Sequence, residues 1–199
     1  MRLVIEGLTK NFDKKEVLRG INFSFEEDGQ KKELEPDDIG YVLSVPTVPE
    51  FLTGREFLKF FLEINKDRIE NPKTIDEYFD SVSILEEDRD KLLKDYSHGM
   101  KNKLQMLVNI IANPKLLLLD EPLTTLDVVV AEEMKQILRD IKPGRITIFS
   151  THLMDLAVDL CDEIVLLHHG ELEVVDKENL DDKGFKERII AALKEEQDA

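Results

Sequence analysis

Four short stretches of this 199-residue chain carry side chains that could do chemistry. Ser97, followed by His98, Gly99 and Met100, opens a run whose apolar residues, Met100, Leu104, Leu107, Val108 and Ile111, recur at helical spacing. A serine there suits a helix N-cap, and the free amides of a helix start favour an anion. Asp120 and Glu121 close a continuous apolar run, Leu116 to Leu119, of the kind that is buried on both faces in a parallel sheet. Asp127 precedes a second helical pattern and suits its N-cap. His152 follows a strand-like stretch, 146–150. Taken singly, each has a plain structural explanation: a capped helix, a strand ending in an acidic turn, another cap, a structural histidine.

The elements that must position these residues can be read from periodicity. Residues 3–8 and 17–25 read as strands around a turn at 11–15, and 39–45 as a third short strand. The intervening stretch, 26–38, is so charged that it reads as a solvated loop. A helix should run from Gly54, with weaker ones over 75–82 and 88–93, and the helix capped by Ser97 should stop at Asn113-Pro114. After the strand 116–119 come a helix over 127–141, a strand over 146–150 and a helix over 151–160. A hairpin over 164–167 and 172–175 and a charged helix over 184–196 follow. Alternating strands and helices in the second half indicate α/β architecture.

Composition narrows the function classes. There are 43 acidic against 27 basic residues, a formal charge of −16, which argues against binding nucleic acid or an anionic membrane. No apolar stretch approaches the roughly 20 residues of a membrane helix, and residues 1–10 lack a secretory signal's apolar run. The expected setting is therefore the cytoplasm. The single Cys161 excludes a disulfide framework and reads as a small core residue. His168 and His169 fall in a turn and read as surface residues.

Together, the four stretches resemble the ATP-binding cassette (ABC) ATPase family. Tyr96-Ser97-His98-Gly99-Met100 is similar to its signature, Leu116–Pro122 to its Walker B strand, Thr124-Thr125-Leu126-Asp127 to its D-loop, and 148–152 to its H-loop. In the first half, 8–12 resembles the A-loop, 39–42 the strand leading to the Q-loop, and 52–58 the start of the helical subdomain. The resemblance implies a truncated P-loop NTPase-like fold: a mostly parallel sheet, an N-terminal antiparallel β part and a helical subdomain. The expected divisions are 1–49, 50–113 and 114–199 within a single domain. ATP and Mg2+ are the implied cofactors. Asp120 would reach the metal, Glu121 would act as general base, and His152 would contact the γ-phosphate. Phe12 would stack on adenine, while Ser97, His98, Gly99, Met100 and Asp127 would face nucleotide across a dimer interface. The implied partners are a second cassette and an integral membrane subunit that holds the chain at the inner face of the cell membrane. The variant over 96–103 points to export.

The sequence also departs from that family. None of the nine glycines is followed by Lys, so the phosphate-cradling G-x-x-x-x-G-K-[ST] loop, Walker A, is missing. The residues flanking the gap place it between about Glu27 and Asp28, with a strand, a loop, a helix and the next strand absent. Such a gap removes a neighbour from the 116–119 strand, whose backbone groups then need another. Ser44 stands where the Q-loop has Gln or Glu, and Thr125 where a small residue is usual. The chain alone is accordingly expected to be inactive, either as a degenerate cassette or through an artefactual deletion. Three functions follow: an ATPase subunit, a cassette that lends its signature to a partner, and a non-catalytic structural or regulatory protein.

Overall fold

The computed structural model describes residues 2–13, 15–26, 34–69, 71–124 and 126–175. The gap expected near Glu27, Thr125 and the helix expected over 184–196 lie outside the described residues. The chain divides into two compact units: residues 33–153, and residues 1–32 with 154–199.

The unit that carries the chemistry-bearing stretches is built on a three-stranded parallel sheet. Strands β3 (Ile39–Val42), β4 (Leu116–Asp120) and β5 (Ile146–Ser150) lie in the order β3-β4-β5. β4 is central, as its unbroken leucines require, and Leu117 is completely buried. The neighbour that the sequence left in question is thus supplied on both sides. Leu116 to Leu119 pair with Ile39 to Val42 on one edge, and with Ile146 to Phe149 on the other. β3 ends at Val42 rather than 45, because the β4 ladder it follows closes at the pair Val42 and Leu119.

Helices of this unit begin where their caps dictate. α1 (Gly54–Ile64) and α2 (Ile75–Asp80) each open on a Thr-x-x-Glu capping box, Thr53 with Glu56 and Thr74 with Glu77. The carboxyls of Glu56 and Glu77 are held below their usual range by the backbone amides of Thr53 and Thr74. The helix expected over 88–93 is instead a short α3 (Glu86–Arg89) and a 3-10 turn, Leu93–Asp95. The break fits the demands of Arg89. Its buried guanidinium bonds Asp76, Asp80 and the Ile84 carbonyl, and so ties α3 back to α2. Next comes α4 (His98–Ala112), which ends on Asn113 in the left-handed conformation, followed by Pro114. α5 (Val128–Ile141) lies between β4 and β5 in sequence.

Gly40 explains how closely α4 and β3 approach. A Cβ there would lie 2.7 Å from Pro114 Cγ and 3.1 Å from Leu117 Cδ1, and closer still to Asn109 Oδ1. In that space two buried α4 amides reach the backbone of β3 and of the residue that follows it. Asn109 Nδ2 donates to the Tyr41 carbonyl at 2.9 Å, and Gln105 Nε2 to that of Leu43 at 3.1 Å.

The other unit contains β1 (Arg2–Phe12) antiparallel to β2 (Lys15–Glu26), α6 (Met154–Leu160), and the hairpin of β6 (Ile164–His168) and β7 (Glu171–Val175). β1 and β2 are longer than the apolar pattern indicates, because the backbone pairs Asn11 with Glu16 and Phe12 with Lys15 continue the ladder. The turn expected over 11–15 shrinks accordingly. α6 begins at Met154 rather than 151, since Thr151 turns back to accept the Leu153 amide. Gly170 has φ 81° in the β6–β7 turn, and its carbonyl accepts the Arg19 amide of β2 at 3.0 Å. Cys161 is partly buried rather than a core residue, and His169 is exposed.

Candidate functional site

Two groups of residues form within the sheet-bearing unit. The first is the turn before α4. Ser97 is the N-cap, and its Oγ accepts the Met100 amide at 3.2 Å. His98 is exposed, while Gly99 and Met100 are partly buried. A methyl group on Gly99 would sit 3.4 Å from Val130 Cγ1, so the first turn of α4 lies against the first turn of α5. Asp127 is the N-cap of α5: its Oδ1 accepts the amides of Val129 at 3.1 Å and Val130 at 3.0 Å. Two helix starts, each an anion-favouring end, are thus set side by side.

The second group is an acidic corner at the carboxyl ends of β4 and β5. Asp120 Oδ2 accepts the Ser44 hydroxyl at 3.0 Å, and Oδ1 accepts the Ser150 hydroxyl at 3.0 Å. Glu121 leaves the strand with φ 46°, a region sparsely used by residues with a Cβ. Its amide donates to Ser150 Oγ at 3.2 Å. Its Oε2 accepts the Thr124 hydroxyl at 2.5 Å, and its Oε1 lies 3.0 Å from His152 Nδ1. A carboxylate only accepts, so this last bond places the imidazole proton on Nδ1 and leaves Nε2 as the free end. Every carboxylate oxygen of the pair therefore holds a donor from the chain itself.

Asp120, Glu121 and His152 lie together at this corner. Ser97, Gly99 and Asp127 meet at the two helix starts. Phe12 ends β1 in the other unit with its ring 61% exposed, and Lys10 Nζ stands 4.9 Å from the ring centroid. Sequence reading missed Thr124 and Ser150. A signal for Ser150 existed, since equal-length parallel strands place their last residues side by side, and Asp120 pairs with Ser150 in the ladder. It also undervalued Ser44, whose hydroxyl reaches Asp120 directly.

The donor set at the corner, two carboxylates and two serine hydroxyls, is all oxygen and fits a hard cation such as Mg2+. A full nucleotide is a different matter, because no G-x-x-x-x-G-K-[ST] segment occurs anywhere in the chain to cradle its phosphates.

Parallel strands ending in an acidic pair, a histidine one strand over and a serine-capped helix start bearing Gly99 fit an α/β domain of the P-loop NTPase type. The model of a family described as ABC transporter matches residues 4–124. The chain is 32% identical over 145 residues to the uncharacterized ABC transporter ATP-binding protein YxlF of Bacillus subtilis, covering 72% of this chain and 48% of that protein. It is 34% identical over 139 residues to a fluoroquinolones export ATP-binding protein of Mycobacterium tuberculosis, covering 69% of this chain and 45% of that one. Among solved structures, an ATP-binding subunit of an ABC transporter superposes with a TM-score of 0.72 at 17% identity, over 96% of this chain and 98% of that one. A dimeric ATP-binding cassette bound to ADP and Pi superposes with a TM-score of 0.67 at 16% identity, over 87% and 97%. This chain belongs to the ABC transporter family, as an ATP-binding domain. It spans about half the length of the curated relatives it matches.

Proposed function

We propose that the chain is the ATP-binding subunit of an ABC transporter, and that it lends its signature to an ATP site whose Walker A loop belongs to a partner cassette. One observation carries this reading. The Ser97-capped start of α4, with bare Gly99 beside the Asp127-capped start of α5, is fully formed in a chain that has no Walker A segment. Two copies of such a chain would hold two signatures and no Walker A, so the partner is a different cassette. Ser97 and Gly99 would present helix-start amides to the phosphates, and Asp127 would stand beside them at the interface. The name of the mycobacterial relative and the variant over 96–103 favour export. An integral membrane subunit would carry the substrate, since no helix among the described residues is long and apolar enough to cross a membrane.

Substituting Ser97→Arg in a reconstituted pair tests the proposal. ATP hydrolysis should be abolished, and an unchanged rate refutes it. The purified chain alone should melt at the same temperature with and without saturating MgATP. Binding at about 100 times Kd would instead stabilise by roughly 2.7 kcal/mol, a shift on the order of 5–10 °C.

The assembled corner favours a second reading, in which the chain also hydrolyses ATP. Asp120 would hold Mg2+, which when bound would draw charge from phosphate oxygens. Glu121 would orient a water and take its proton, and His152 would present Nε2 to the phosphate side. Hydrolysis by the chain that is lost in Glu121→Gln supports this reading, and a well-folded but inactive dimer removes it.

A further inference from the structure

Neither reading uses Ser44 and Ser150, yet both serines hold the acidic corner. We propose that they are its positioning residues: they set Asp120 and Glu121 in place before any cation or nucleotide arrives, and Ser150 governs the Glu121 backbone. This deepens the second reading above and rests on it for its consequence in turnover.

Asp120 ends the central strand and is gripped from both neighbours. Ser44 follows β3 and takes Oδ2, while Ser150 ends β5 and takes Oδ1, each at 3.0 Å. Each carboxylate oxygen thus has one hydroxyl donor, a division of lone pairs that fixes the rotation of the group. Ser150 does more. The same Oγ accepts the Glu121 amide at 3.2 Å, so one hydroxyl spans the last residue of β4 and the residue that follows it.

That amide belongs to the residue at φ 46°. A non-glycine residue persists there only when its surroundings over-determine it. The left-handed turn swings the Glu121 side chain out of strand direction, to where Thr124 and His152 meet its two oxygens. Ser150 can brace this turn because the ladder pairs it with Asp120, so the sheet rather than a loop fixes its place. Removing the Ser150 hydroxyl frees one side of the carboxylate and, with it, the turn. Removing that of Ser44 frees only one side of the carboxylate.

Residue-resolved amide hydrogen exchange on the full chain separates these roles, with excess MgCl2 and again with EDTA. In Ser150→Ala the Glu121 amide should exchange about tenfold faster, as expected for an amide that loses its acceptor. Ser150→Thr keeps the hydroxyl and should restore the parental rate, and Ser44→Ala should leave that amide nearly unchanged. Exchange in the parent should be the same with and without Mg2+. If Ser150→Ala folds poorly, Ser150→Cys keeps the bulk with a weaker acceptor and carries the same test. A Glu121 amide indifferent to Ser150→Ala overturns the proposal, and so does protection that appears only with Mg2+. In a reconstituted pair, Ser150→Ala should lower kcat with KM for ATP unmoved, and Ser150→Thr should recover it. If exchange responds while turnover does not, the positioning role stands and the ATPase reading of the corner falls.

Discussion

The signature turn and the acidic corner are both polar sites in the sheet-bearing unit, but they are assembled by different means. In the turn, Ser97 accepts an amide three residues ahead, and Asp127 accepts amides two and three residues ahead. In the corner, the partners stand 76 residues apart for Ser44 and Asp120, 30 for Ser150 and Asp120, and 31 for His152 and Glu121. Local caps form whenever their helices form. A corner drawn from three strand ends exists only while the sheet keeps its register. The turn should therefore survive damage to the sheet that dismantles the corner.

The largest test of that contrast is Leu117→Ala. The residue is fully buried at the middle of β4, and the truncation should cost about 2–5 kcal/mol in denaturant unfolding. At temperatures where the variant is still folded, amide exchange should rise at Glu121 before it rises at Met100. The opposite order would break the comparison.

Gly40→Ala comes next. The added methyl meets Asn109, Pro114 and Leu117, and such overpacking typically costs about 1–3 kcal/mol. It should push α4 from β3, release the Leu43 carbonyl from Gln105 and displace neighbouring Ser44 from Asp120. A crystal structure of the variant with the bond between Ser44 and Asp120 intact would show that the corner does not depend on the packing of β3.

Asp127→Ala removes a cap that serves two amides and should cost about 1 kcal/mol, confined to the start of α5. Ser97→Ala loses one amide's acceptor and should cost about 0.5 kcal/mol, with the corner untouched in amide exchange.

The smallest effect concerns Tyr96, just ahead of the signature. Burial, and then the charges of Asp88 and Asp90, push its phenol up to about 12. The neutral form is favoured in the folded chain, so this contribution is intact below pH 10 and is lost as pH rises from 10 towards about 12. Its hydroxyl is buried against Gly54 without a hydrogen-bond partner. Tyr96→Phe should therefore be neutral or slightly stabilising at neutral pH and should flatten the alkaline fall in melting temperature. An unchanged alkaline profile would locate that fall elsewhere.

Sequence alone determined the pieces whose physics is local. The caps Ser97 and Asp127, the Asn113-Pro114 stop, the buried leucine strand and its acidic end are fixed by side chains acting on their own neighbourhood or by periodicity. So the order of elements could be read directly, and family membership with it, while Asp120, Glu121 and His152 were singled out through the resemblance to that family. Element ends were less legible. The cross-strand pairs that lengthen β1 and β2 gain their hydrogen bonds only from the opposite strand, and Arg89 breaks a helical pattern because its partners lie on another helix. Tertiary structure alone decided that β3 and β5 both close on β4, and this decided the rest. The closure brings Ser44 and Ser150 to either side of one carboxylate. No local rule could have placed them there, since side chains so far apart in sequence meet only through the register of the strands that carry them.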